Sequence, residues 1–321
     1  MKFLTRCGLF AFILSISVFT LLKNQGTLSE ITVKHDASLY SQHLHRSIVL
    51  DIILPPHYHQ SQQSYPVLYM NDGQDVHRLQ MTHVLEKTFG LGHVQPFILI
   101  AIHCGDRIQE YGTAAQADYK QRGSKAAVYT AFVLEELMPY IQKNFRVQFG
   151  AANTAFCGFS LGGLSAFDIS WHNPYLFGKV GVFSGSFWWR QKAYENHYDD
   201  ETDRIMHRLI RQSVIGNRQL AVGSQQSAVG NPNSQLPTLS SELGTQKFWF
   251  QTGTEDEKDD RNNNGVIDSI EDTLDLISEL EKKGYVQGED IRYVEVQGGQ
   301  HDPITWSNIM PDFLKWAFGV K

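Results

Sequence analysis

The chain has 321 residues, 42% of them hydrophobic, with three cysteines and a formal net charge of −6. That length buries a substantial core, in one large domain or two modest ones. An acidic balance without a basic cluster argues against nucleic acid as a partner, ordinary Gly and Pro counts without a repeat exclude collagen-like and solenoid chains, and three cysteines do not make a disulfide scaffold.

At the N-terminus, "MKFLTR" carries two positive charges and precedes the apolar run "CGLFAFILSISVFTLL", which Lys23 ends. This is the pattern of an export signal or N-terminal membrane anchor over residues 1–26. It is shorter than the roughly 20 residues of a comfortable span. The remainder, 27–321, reads as one catalytic domain that works in the periplasm or outside the cell, with a membrane tether if the segment is retained.

"ITVKHDASLYSQHLHRSIVLDIILPP" predicts two strands joined by a turn, stopped by Pro55 and Pro56. "YPVLYMNDG" and "PFILIAIHC" are short apolar runs bounded by breakers, the mark of buried strands. "SKAAVYTAFVLEELMPYIQKNF" has apolar residues at helical spacing, with Ser124 placed to cap it. "TAFCGFS" reads as a strand with Cys157 as a small buried hydrophobe, and "LGGLSAFDISWHN" as the helix after it. "GKVGVFSGS", "KFWFQTG" and "IRYVEVQGG" predict further strands; "DTLDLISELEKKG" and "PDFLKWAFG" predict helices. Strands alternating with helices give an α/β fold with a mostly parallel sheet and helices on both faces. Residues 211–245 are rich in Ser, Gln, Gly and Asn with weak periodicity, and read as a mobile insertion.

The stretch Gly158-Phe159-Ser160-Leu161-Gly162 ends one of these strands. A serine on a sharp strand-to-helix turn needs glycines on both sides, because its flanking turns pass too close for a Cβ. Such a turn exposes the serine oxygen to a substrate carbonyl. Acyl transfer then needs a base, an acid to orient it, and donors for the oxyanion. Of the four histidines after Ser160, His301 in "VQGGQHDPITW" directly follows the last strand and is the expected base; His172 fits a surface or capping role on the helix after the serine, and His197 and His207 lie in a polar stretch that reads as helical. The acid belongs after the preceding strand, where Glu255, Asp256, Glu257, Asp259 and Asp260 all stand, and position does not choose among them. Backbone N–H groups of Gly73 and Gln74, in the "NDGQD" loop, are placed to join that of Leu161 as oxyanion donors. Trp188 and Trp189 follow "FSGSF" and suit an apolar wall for an acyl or aromatic group, or packing beneath a loop.

"DRNNNGVIDSIE", residues 260–271, follows the calcium-loop pattern. Asp260, Asn262 and Asn264 offer side-chain oxygens, Gly265 the sharp turn, Val266 its carbonyl, Asp268 a water-mediated contact, and Glu271 two carboxylate oxygens. No helix leads into it, so it is a lone loop expected to hold Ca2+ with modest affinity and a structural purpose. No organic cofactor is expected.

Taken together, "YPVLYMNDGQD", "GFSLGG", "FSGSFWW", "GTEDE" and "GGQHDPITW" resemble the putative esterase family of α/β-hydrolases, the group of enterochelin esterase-like enzymes, feruloyl esterases, S-formylglutathione hydrolases and antigen 85-type mycolyltransferases. The resemblance spans roughly residues 31–318 apart from the insertion. It implies an α/β-hydrolase fold with Ser160 as nucleophile, Asp256 as acid and His301 as base. It further implies a small-molecule or carbohydrate-linked ester as substrate. An acyltransferase passing the acyl group to a sugar or other alcohol has the same triad. A non-catalytic binding domain would be expected to have lost a triad member, and none is lost.

Overall fold

A computed structural model describes residues 30–214 and 246–320. The N-terminal segment 1–26 and residues 215–245 of the predicted insertion lie outside the described residues. Among the described residues the strands are β1 (Thr32–Ser41), β2 (Arg46–Leu54), β3 (Val67–Asn71), β4 (Ile98–Ile102), β5 (Thr154–Phe159), β6 (Lys179–Phe183), β7 (Lys247–Glu255) and β8 (Ile291–Gln300). They form one sheet in the order β1-β2-β4-β3-β5-β6-β7-β8. β2 pairs antiparallel with β1 and β4, and every other neighbouring pair is parallel.

The central strands are apolar on both faces, because helices cover both. Alternate residues point to opposite sides. Tyr69, Ile98, Ile100 and Phe156 therefore enter one core, while Leu68, Met70, Leu99 and Cys157 enter the other. The first core is closed by α2 (126–144), α3 (Leu161–His172), α4 (Ile205–Gln212) and α5 (Asp268–Lys282), through side chains such as Phe132, Trp171, Met206 and Leu276. The second is closed by α1 (Met81–Gly90) and α6 (Pro303–Phe318), through Leu85, Met310 and Phe313.

Several helix boundaries differ from the sequence reading, α5 among them, which starts at Asp268, four residues before "DTLDLISELEKKG". Ser124 does not cap α2: its hydroxyl donates to Gln109 Oε1 at 2.6 Å, and Lys125 holds the cap position. The interior of α2 is π-helical over Phe132–Leu137, just before Pro139, which has no N–H for the helical ladder. The last helix starts at Pro303, eight residues before "PDFLKWAFG", because Asp302 Oδ1 accepts the Thr305 N–H at 2.8 Å and caps it there. Finally, Arg211 and Gln212 belong to α4 rather than to the insertion, and Arg211 pairs with Glu279 of α5 at 3.0 Å.

Candidate active site

β3 and β5 are parallel neighbours on either side of the point where the chain order reverses, so the loops at their C-terminal ends lie side by side. Ser160 follows β5, Asp72–Gln74 follows β3, and the ends of β6, β7 and β8 continue the same edge with Ser186, Asp256 and His301.

Ser160 has φ 54° and ψ −122°, a region that side-chain-bearing residues rarely occupy, so the turn stores strain. The turn is closed by the Ser160 N–H donating to Phe183 O at 2.9 Å. A Cβ on Gly158 would stand 2.2 Å from Gly162 O, and one on Gly162 would stand 2.3 Å from Asp72 Oδ2. The two flanking glycines are thus required by close approach, as the spacing predicted. The Ser160 hydroxyl lies 3.2 Å from that of Ser186. Leu161 opens α3, where an N–H has no intrahelical acceptor.

Asp256 is buried. Its Oδ2 accepts the Gly253 N–H at 2.9 Å, and its Oδ1 has no hydrogen-bond partner among the described residues. Burial holds its carboxyl above the ordinary aspartate value, against the pull of the Gly253 N–H, Ser184 and the His301 charge. Glu255 by contrast is exposed and meets Gln300. Glu257 is half-buried, and burial pushes its carboxyl up to about 7. The His301 ring stands edge-on to Trp306 at 5.3 Å between centroids. Among the described residues it makes no hydrogen bond to Asp256 or Ser160, and hydrogen bonds between catalytic groups are often long or absent before substrate binds. The surrounding protein lowers its pKa below the ordinary imidazole value; the Asp256 charge opposes this and Arg107 adds to it. His207 is fully buried with Nε2 on Asp272 O at 2.8 Å, and His172 Nδ1 lies 2.9 Å from Asp168 O.

Sequence reasoning missed Arg107. Its Nε and Nη2 hold the two carboxylate oxygens of buried Asp72 at 2.7 and 3.0 Å, and Nη2 also donates to Phe159 O at 3.1 Å. It therefore ties the Gly73–Gln74 loop to the serine turn. Gln74 Nε2 donates to Asp72 Oδ1 at 2.9 Å, and the Asp72 N–H donates to the Tyr111 hydroxyl at 3.0 Å. Gly73 packs on β4, where a Cβ would stand 2.7 Å from both the Ala101 carbonyl carbon and His103 Cδ2. The one signal in the sequence was an arginine in the loop after β4, and a lone arginine carries no spacing rule.

Replacing Arg107 by Gln leaves a buried carboxylate without its cation, at a cost of about 3–5 kcal/mol. It also removes a positive charge that lowers the His301 pKa. The acid limb of a kcat/KM–pH profile, where activity rises as the base loses its proton, is expected to move up by roughly half a unit to one unit. Arg107→Lys should restore part of that displacement. A limb that stays in place for Arg107→Gln would show that this cation does not reach the base.

Trp189 requires a correction. It is wholly buried beneath the loop that carries Gly112 and Gly123, whose Cβ atoms would meet its ring at 2.8 and 2.7 Å. It is a packing residue, not a wall for substrate. Trp188 is half-buried, with the Arg122 guanidinium 4.8 Å from its ring.

In the 260–271 loop, Asp260 accepts the Asn264 N–H at 3.1 Å and the Gly265 N–H at 2.9 Å, and Gly265 turns the chain at φ 87°. The amides of Asn262 and Asn264 both reach Glu271 Oε1 at 2.7 Å. Asp260, Asn262, Asn264 and Glu271 thus gather in one loop. Asp268 does not join them: its Oδ1 accepts the Arg261 N–H at 2.9 Å and pairs with the Arg261 guanidinium at 3.2 Å. No group of three or more His, Cys, Asp or Glu side chains among the described residues is arranged to hold a metal. Amide and carbonyl oxygens would have to complete any set here, and each asparagine would have to turn its Oδ1 inward. The donor chemistry, oxygen only with a glycine turn, fits a hard cation such as Ca2+.

The sheet order and the strained serine between close-packed glycines define an α/β-hydrolase fold with a nucleophile-type turn. The chain belongs to the family described as "Putative esterase", which matches residues 41–317. It is 29% identical over 150 residues to the YbbA protein of Bacillus subtilis (strain 168), a match covering 46% of this chain and 60% of that one. Among solved structures it is similar to the enterobactin esterase of Shigella flexneri, solved in the presence of enterobactin (TM-score 0.63, 19% identity, 90% of this chain and 59% of that one). It is also similar to a ferulic acid esterase of Anaeromyces mucronatus (TM-score 0.56, 18% identity, 91% and 92%).

Proposed function

We propose that this protein is a serine carboxylic-ester hydrolase acting through an acyl-enzyme. The observation that carries the reading is the strained Ser160 turn, at the sheet edge it shares with a buried carboxyl at Asp256 and a histidine at His301. In the proposed cycle His301 takes the Ser160 proton as Oγ attacks the ester carbonyl. Asp256, through its unpartnered Oδ1, orients the imidazole and stabilises its cation. The N–H groups of Leu161 and of Gly73 and Gln74 receive the oxyanion. His301 then gives its proton to the leaving alcohol, and water, activated by the same histidine, releases the acid. Trp188 is left as an apolar wall for the acyl group.

The 260–271 loop, with Asp260, Asn262, Asn264, Glu271 and the Val266 carbonyl as donors, is read as a structural Ca2+ site. It begins four residues after Asp256, so ordering it fixes the turn that carries the acid. Export rests on the sequence pattern of residues 1–26.

One assay tests both readings. Turnover of a short-chain chromogenic ester and labelling by a fluorophosphonate are expected with calcium present. A chelator is expected to lower Tm by roughly 5 °C and reduce turnover. Absence of both turnover and labelling would sink the esterase reading, and a chelator without effect on Tm or rate would sink the calcium reading.

A further inference from the structure

Ser184 directly follows β6, is buried, and holds φ 46°. A residue with a side chain is strained in this left-handed region, where glycine is not. A serine here therefore points to a task for its hydroxyl. That hydroxyl accepts the Trp306 indole N–H at 2.9 Å. The Ser184 backbone N–H donates to Gln251 O of β7 at 2.7 Å. Phe183 and Gln251 are partners in register, so Ser184 lies level with Thr252, one residue before Gly253.

Asp256 curls back over the same strand end. Its Oδ2 accepts the Gly253 N–H, and a Cβ on Gly253 would stand 2.7 Å from its Oδ1. The carboxyl is thus held where β7 runs beside Ser184. Burial raises its pKa, while the Gly253 N–H and then the Ser184 hydroxyl draw it down. His301, Asp302 and the Tyr293 phenol are the titratable groups around it. Donor and acceptor match here. Among the described residues Oδ1 has no donor, and the Ser184 O–H has no acceptor other than this carboxyl. A hydroxyl both accepts and donates, and a carboxylate oxygen accepts two hydrogen bonds, so Oδ1 can serve Ser184 and an imidazole N–H together.

The indole that holds Ser184 also meets the serine turn and the base. Trp306 is buried in the second turn of α6. Its ring stacks on that of Phe159, the residue before the nucleophile, at 5.1 Å between centroids, and stands edge-on to His301. One rigid side chain therefore packs against the serine turn and the base, and reaches the acid through a single hydroxyl.

We propose that Trp306 and Ser184 form a strut, indole N–H to hydroxyl to Asp256 Oδ1, which sets the orientation of the acid toward His301. Both are positioning residues. The proposal rests on the esterase reading for its effect on turnover, but the strut itself is measurable apart from it. Ser184→Gly in the full chain removes the hydroxyl and relaxes the backbone at φ 46°, so the turn is not weakened. It is expected to lower kcat and kcat/KM for a short-chain ester together, by at least about tenfold. Losing a donor destabilises the ionised carboxyl most where no imidazolium compensates it. The Asp256–His301 pair then takes up its proton at higher pH, and the acid limb of kcat/KM moves up by roughly half a unit to one unit. Adding Trp306→Phe should change kcat no more than about twofold further, because the indole N–H acts through that hydroxyl. A carbon-13 NMR titration of the Asp256 carboxyl, identified by its loss in Asp256→Asn, needs no turnover and should show the same upward shift in Ser184→Gly. A carboxyl that titrates unchanged, a Ser184→Gly protein with unaltered kcat, or a further tenfold loss in the double variant overturns the strut. A carboxyl that shifts in a protein cleaving no ester upholds the strut and overturns the esterase reading instead.

Discussion

Ser160→Ala is expected to lower turnover of a short-chain ester by roughly 10⁶-fold, because removing the nucleophile of a serine hydrolase costs about as much as removing its whole triad. The fold should be kept. Among the described residues the side chain's one hydrogen bond is to Ser186, and alanine inherits the same backbone turn. A second replacement separates strain from chemistry. Ser160→Gly also loses the oxygen, but it relaxes a backbone at φ 54° and should raise stability by about 1–3 kcal/mol. Rate measurements and thermal melts of both variants check this. Equal melting behaviour in the two would mean that the turn is not strained. Residual turnover near the unsubstituted rate in Ser160→Ala would place the nucleophile elsewhere.

Asp256→Asn is expected to lower kcat about 10⁴-fold, since an amide can hold the ring in the wrong tautomer and cannot stabilise its cation. The pH profile identifies the cause. The Asp256 charge raises the His301 pKa while burial lowers it. Removing that charge leaves burial and Arg107 acting in one direction, so the acid limb moves to lower pH. Arg107→Gln moves it to higher pH. Opposite displacements are not produced by general loosening of the site. The comparison variant is Glu255→Gln, which alters an exposed carboxylate bonded to Gln300 and should change neither kcat nor the limb by more than about twofold. If Glu255→Gln is the damaging change, the acid has been assigned one residue too late.

Most of the sheet was legible in the sequence, because each strand is a short apolar run between breakers and each inward residue has its own hydrophobic signature. β5 and its serine turn were the most legible. Gly158 and Gly162 are demanded by contacts of 2.2 and 2.3 Å that any such turn must make, whatever surrounds it. Helix starts were less so. Ser124 and Asp302 are both good capping residues, and which one caps depends on whether a distant partner, here Gln109, takes the side chain first.

What the sequence determined by itself is local: the strand-turn-helix around Ser160, the position of His301 after the last strand, and the oxygen-rich spacing from Asp260 to Glu271. Only the tertiary structure decided what depends on contacts far apart in the chain. It paired Arg107 with Asp72 and with the carbonyl before Ser160, across 35 and 52 residues. It buried Asp256 while leaving Glu255 in solvent, turned Asp268 to Arg261, sank Trp189 beneath a loop, and brought Trp306 to Ser184 across 122 residues. The physical reason is the same in each case. Turn sterics and periodicity act between neighbours and are written in neighbouring residues, whereas burial and charge pairing depend on which strands the sheet order brings together.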